Sequence, residues 1–244
     1  MTLLVDFLCR FGWGLAIALV CTPAALVPAG FFRVNMLVVL GLATFAALLC
    51  GQAVPAAWWL PAAAAVTAWL ASIAWFAERS RPGLVLCAAT AALLAVATGL
   101  VQRAAGGGWP AVGTALVSGL VSGLTVHAML LGHWYLNAPG MRVDVLRRMI
   151  DVALLAWGVQ LGLALAATLL EGGWPPAGVT GGSTTWALLW LRWLAGLAGL
   201  PVLLWLSRKT LDIPNTQSAT GILYVACLAA ILGELTAQLL TVTA

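Results

Sequence analysis

"GLVLCAATAALLAVATGLVQ", residues 83–102, is a run of twenty residues without a single charge. At 1.5 Å per residue a helix of that length measures about 30 Å, the hydrocarbon thickness of a bilayer. The run is bounded on one side by Arg79-Ser80-Arg81-Pro82 and on the other by Arg103 and Gly106-Gly107-Gly108. Charges, proline and glycine are where a spanning helix stops and turns. Read outward from this stretch, the same pattern recurs along the chain. Candidate spans fall at about 9–28, 34–53, 57–77, 83–102, 110–136, 146–170, 184–206 and 217–241.

Composition agrees. Of 244 residues, 63% are hydrophobic and only 7% are charged, with a mean hydropathy of +1.06. A soluble domain carries about 25% charged residues to wet its surface. The fold expected is therefore an all-α integral membrane protein, a bundle of about eight transmembrane helices forming one polytopic domain over residues 1–244. The N-terminal stretch has a basic residue and an apolar run, but Asp6 and the length of the run favour a first span over a cleavable leader. No segment is long and polar enough for a second domain, and no repeat with a period of 20–50 residues is visible.

Basic residues set the expected orientation. Connectors after the odd-numbered spans carry Arg33, Arg79, Arg81, Arg142, Arg147, Arg148, Arg208 and Lys209, whereas those after the even-numbered spans carry only Arg103. Lys and Arg accumulate on the cytoplasmic side, so both termini are expected on the other side, with Arg10 as the exception. The net charge of +4 is then a topology signal and not a nucleic-acid footprint. Trp13, Trp58, Trp59, Trp109, Trp174 and Trp186 fall near the non-cytoplasmic ends of spans, where indoles favour the headgroup level.

Ionisable groups inside spans carry the functional argument, because hydrocarbon makes them costly. Arg192 and Glu234 sit at matching depths in the last two spans and are expected to form an intramembrane ion pair. Asp151 shares a helical face with Arg147 four residues before it, an interfacial charge pair. Gly158 and Gly162 flank Gln160, a small-xxx-small pattern for close helix approach with an amide available to bond across it. The five cysteines, Cys9, Cys21, Cys50, Cys87 and Cys227, are scattered in apolar runs without metal or haem-attachment spacing, so no metal site is expected. Asn215-Thr216-Gln217-Ser218 after Pro214 reads as a helix start with its cap.

Both histidines lie in "HAMLLGHWYLNAPGM", residues 127–141. Six residues turn a helix by about 600°, so the imidazoles diverge by about 120° and are about 9 Å apart along the axis. They cannot share one metal or supply both axial ligands of one haem. His127 falls on a face with Gly119 and Gly123, where a helix or a flat ring can approach closely. His133, Trp134, Tyr135, Asn137 and Arg142 cluster near the cytoplasmic interface, where such groups can bond the carbonyls of a quinone. The candidate quinone or haem site is therefore His127, His133, Trp134, Tyr135, Asn137 and Arg142.

No G-x-S-x-G, H-E-x-x-H or phosphate-binding loop is present to support an independent enzyme. The function expected is a membrane-anchor subunit of a respiratory or other electron-transfer complex, contributing a quinone pocket or one b-type haem shared with another subunit. In architecture alone, eight spans with both termini outside resemble the membrane anchors of quinone-linked oxidoreductases. Two alternatives stand beside it: a small-solute or proton-coupled transporter, and a purely structural membrane subunit. The expected partners are the lipid bilayer and other membrane or redox subunits, without nucleic acid. The expected location is a bacterial inner membrane.

Overall fold

The computed structural model describes residues 1–138, 140, 142–170, 182–213 and 215–241, with the backbone of 242 and 243. Every regular element among them is helical. The helices are α1 Thr2–Cys21, α2 Ala29–Ala53, α3 Trp59–Phe76, α4 Ser80–Ala104, α5 Trp109–Asn137, α6 Asp144–Leu170, α7 Ser183–Thr210 and α8 Thr216–Thr243. All eight are long and apolar enough to span a membrane. Within hydrocarbon a helix is the one open-ended element that satisfies its own backbone. Their threonines and serines satisfy their own hydroxyls in hydrocarbon by bonding back to carbonyls one turn earlier, as Thr98 does to Leu94 and Thr125 to Val121.

Most boundaries fall within a few residues of those expected, but the first does not. α1 starts at Thr2 and ends at Cys21, with Pro23 and Pro28 in the turn that follows. The expected span of 9–28 followed the apolar run and left Asp6 outside. In the structure both Asp6 and Arg10 lie within the helix, and their ion pair at i, i+4 offsets the cost of holding them there. At the other end of the chain, Asn215 Oδ1 accepts the Ser218 N–H at 3.0 Å and caps α8. Trp174 and most of the connector 171–183 lie outside the described residues.

The helices form two groups of four with the same internal order. α1 packs on α2, α2 on α3, α3 on α4, and α4 back on α1. Likewise α5 packs on α6, α6 on the second half of α7, α7 on α8, and α8 back on α5. The two halves meet chiefly where α1 lies along α5. α5 is the central helix: 72% of its membrane-length window is buried, against 17% for α6. That is why α5 is built from Gly, Ala, Ser and Thr along much of its length. We call the face where the chain begins the N-terminal face, and the opposite one the basic face.

One element departs from regular α geometry. Residues Arg192–Gly199 in the middle of α7 form a π-helix. A wider turn of this kind is rare, and it occurs frequently at functional sites. The Trp157 indole on α6 donates to the Leu197 carbonyl within it at 3.1 Å.

Candidate functional site

The seam between the halves is made of backbone. A Cβ placed on Gly14 would fall 1.8 Å from the Gly119 carbonyl oxygen, and one on Gly123 would fall 2.1 Å from the Gly14 carbonyl carbon. No side chain fits there. The occupant of the Gly119–Gly123 face is therefore α1, not a ring. Gly158 and Gly162 differ, since an added Cβ at either would meet nothing within 4 Å. The expected close approach at these two glycines is not made by any described residue, because α6 leaves them on its outer side.

Buried charges sit at the N-terminal-face end of this seam. Arg10 reaches Asp6 with one guanidinium nitrogen, and with Nη1 it reaches Glu234 Oε1 at 2.8 Å. Side-chain exposure is 12% for Arg10 and 3% for Glu234, so the pair is largely out of contact with solvent. The same Nη1 lies 3.5 Å from Ser118 Oγ on α5, and Gln238 Nε2 donates to Glu234 Oε1 at 2.8 Å. Arg10 is eight residues into α1, so the network lies roughly 12 Å below the helix end. One guanidinium thus holds a carboxylate from its own half and another from the opposite half.

The pairing expected for Glu234 was with Arg192; its ion-pair partner is Arg10. α1, not α7, brings a guanidinium to the buried face of α8. Arg192 opens the π segment and lines a cavity of about 20 Å3 that Glu234 also lines. Gln160 of α6, Ser122 of α5 and Gly196 of α7 complete much of its wall. Behind it α7 and α8 touch through glycines, where a Cβ on Gly233 would lie 2.5 Å from Gly196 Cα. Glu234 Oε2, Gln160 Oε1 and Gln238 Oε1 are buried acceptors without a donor among the described residues.

The basic-face end of the seam carries a second polar contact. His127 Nε2 lies 2.7 Å from Thr22 Oγ1, and the imidazole is fully buried. Thr22 Oγ1 also donates to the Ala18 carbonyl at 2.8 Å, which leaves its lone pairs to accept from His127 Nε2–H. This tautomer leaves Nδ1 as an acceptor, and no partner for it is found among the described residues. Phe31 covers the ring edge-on at 5.3 Å, with Trp134 beyond it.

The other sequence-derived candidates do not converge on His127. His133 Nδ1 faces Tyr224 on α8 at 3.1 Å, so the two imidazoles point to different helices. Tyr135 donates to the Arg142 carbonyl, and Asn137 Nδ2 bonds back to the His133 carbonyl at 3.3 Å. Arg142 is exposed and pairs with Asp144 at 3.0 Å. An open recess of about 500 Å3 lies nearby, lined by Ala25–Pro28, Ala138, Gly140 and Arg142. Of the six residues, only Arg142 is on its wall.

Asp151 pairs with Arg208 of α7 at 3.0 Å and not with Arg147, which donates to the Leu211 carbonyl. Arg208 in the last turn of α7 takes Asp151, and Leu211, the residue that follows the helix, takes Arg147. Among the Trp residues expected at the interface, Trp13 instead donates to the Leu116 carbonyl on α5, inside the seam, at 2.9 Å.

The residues missed from sequence are thus Asp6, Arg10 and Thr22. Arg10 did stand out there, as the exception to the charge pattern. No group of three or more His, Cys, Asp or Glu able to hold a metal occurs among the described residues. No family model matches the chain, and neither a curated protein nor a solved structure matches it.

Proposed function

We propose that the chain is a proton-coupled membrane transporter, with Glu234 as its proton-binding carboxylate. The observation that carries this reading is the Arg10–Glu234 ion pair, which bridges the two four-helix halves. Transporters are often built from two repeats in the same membrane orientation, with coupling-ion sites at the interface between them. Ionisable residues inside a bundle mark such sites because structure alone is achieved more cheaply with apolar packing. Protonation of Glu234 removes its charge while Arg10 keeps Asp6. The attraction across the seam then falls at the N-terminal face, and the glycine contact between α1 and α5 remains as the pivot. An energy-coupled bacterial inner membrane, with the basic face in the cytoplasm, supplies the proton gradient that this mechanism needs.

The membrane-anchor reading draws less support. A haem or quinone contact at His127 requires displacing Thr22, Phe31 and α1 itself, and of the remaining candidates only Arg142 lines the recess at the basic face.

The test is proton uptake into liposomes holding the purified chain and an internal pH dye. A pH gradient is imposed alone and in the presence of amino acids, carboxylates or inorganic phosphate. Wild-type uptake is expected with one of these, and Glu234→Gln is expected to slow it about a hundredfold or more, as loss of a proton-transfer group does. Asp6→Asn serves as the partner variant. Absence of uptake under every condition, or uptake unchanged in Glu234→Gln, overturns the proposal and leaves a structural role for the network.

A further inference from the structure

We infer that the cavity beside Glu234 is a binding site for a single water molecule, and that this water is the port through which the carboxylate exchanges its proton. The inference rests on the reading of Glu234 as the proton site. Two residues that line the same space each carry a buried acceptor, Glu234 Oε2 and Gln160 Oε1, neither with a donor among the described residues. A water molecule carries two O–H donors, one for each. Its lone pairs can accept from donor groups on the same wall, for which Ser122 and Arg192 are the right chemical types. The volume of about 20 Å3 fits one water, which needs about 10–15 Å3 and two to four polar partners. An apolar cavity of this size stays dry; this one is lined by Glu234, a buried carboxylate residue only 4% exposed, together with Gln160, Ser122 and Arg192.

The geometry also selects a side. Arg10 occupies Glu234 Oε1, the oxygen turned to the seam, whereas the cavity is formed only by residues of α5, α6, α7 and α8. The proton therefore arrives through the second half and not between the halves. A hydronium in the site breaks one O–H bond and Glu234 Oε2 forms one, leaving a water and a neutral acid. Release runs the same step backwards, with no change in oxidation state.

Radiolytic hydroxyl labelling of the full reconstituted chain in oxygen-18 water tests this. Radicals formed at a bound water label buried side chains that bulk radicals do not reach. Leu197 and Leu200 line the cavity and are 5% and 1% exposed; Leu124, equally central at 0%, is the control. Labelling of Leu197 and Leu200 above Leu124 is expected. It is lost in Gln160→Leu and, should that variant fold poorly, in the cavity-filling Ala237→Val, together with slower proton uptake. Labelling of the two leucines no stronger than that of Leu124 in the wild type overturns the water site, even where uptake is normal. Labelling without uptake in any liposome keeps the site and overturns the transport reading instead.

Discussion

Gly14 holds the tightest contact in the seam, and its replacement separates the effect of close approach from that of glycine as such. A Cβ there would lie 1.8 Å from a carbonyl oxygen that cannot rotate away, whereas a Cβ on Gly41 in α2 would meet nothing within 4 Å. Gly14→Ala is expected to exceed the usual overpacking cost of about 1–3 kcal/mol, because α1 and α5 must move apart. Gly41→Ala is expected to be neutral or to stabilise by up to about 1 kcal/mol through helix propensity. Thermal unfolding of the two variants in detergent checks the contrast, and equal melting temperatures defeat it. The sequence exposed half of this contact. Gly119, Gly123 and His127 recur on one face by periodicity, so a close approach was legible. Which helix comes to that face depends on packing between distant segments, and periodicity is silent about it. Arg10 shows the same limit. Its oddity was plain, but its partner is 224 residues away.

At the level of elements, helix existence was readable because about twenty apolar residues in a row have few other fates. Departures from α geometry were not. The π stretch Arg192–Gly199 holds two glycines and is followed by Pro201, which has no N–H for the Leu197 carbonyl four residues back, and contacts from neighbouring helices complete the arrangement. Gly196 is held against Gly233, and the Leu197 carbonyl is taken by Trp157 from another helix. A carbonyl released from the regular ladder needs such a donor, since there is no water in hydrocarbon to serve it. Trp157→Phe keeps most of the apolar volume and removes the N–H. It is expected to destabilise by roughly 0.5–1.5 kcal/mol and to raise amide exchange within residues 192–200 more than elsewhere in α7. Exchange rising uniformly along α7, or not at all, would show that the π stretch is held by other contacts.

For the whole molecule, the two halves also leave a trace in sequence, though with a period too long to notice as a repeat. Gly14 and Gly123 meet at the seam, Arg33-Val34 lie in the second turn of α2, Arg142-Val143 lie just before α6, and each match is separated by 109 residues. The distribution of charge is equally regular. Among the described residues, the N-terminal face carries Arg10, Arg103 and Arg192 with Asp6 and Glu234, whereas the basic face carries eight Lys and Arg with Glu78, Asp144, Asp151 and Asp212, a net +4. If that face is cytoplasmic, the side expected from the Lys and Arg bias, one native residue reports it. Cys21 ends α1 on the basic face and is exposed, whereas Cys9, Cys50, Cys87 and Cys227 are buried. A membrane-impermeant maleimide is expected to label the wild-type chain at Cys21 in inside-out vesicles and to leave it unlabelled in intact cells. Cys21→Ser should abolish the label. Labelling from outside intact cells would invert the orientation, placing the Arg10–Glu234 end of the seam in the cytoplasm and reversing the side from which Glu234 takes its proton.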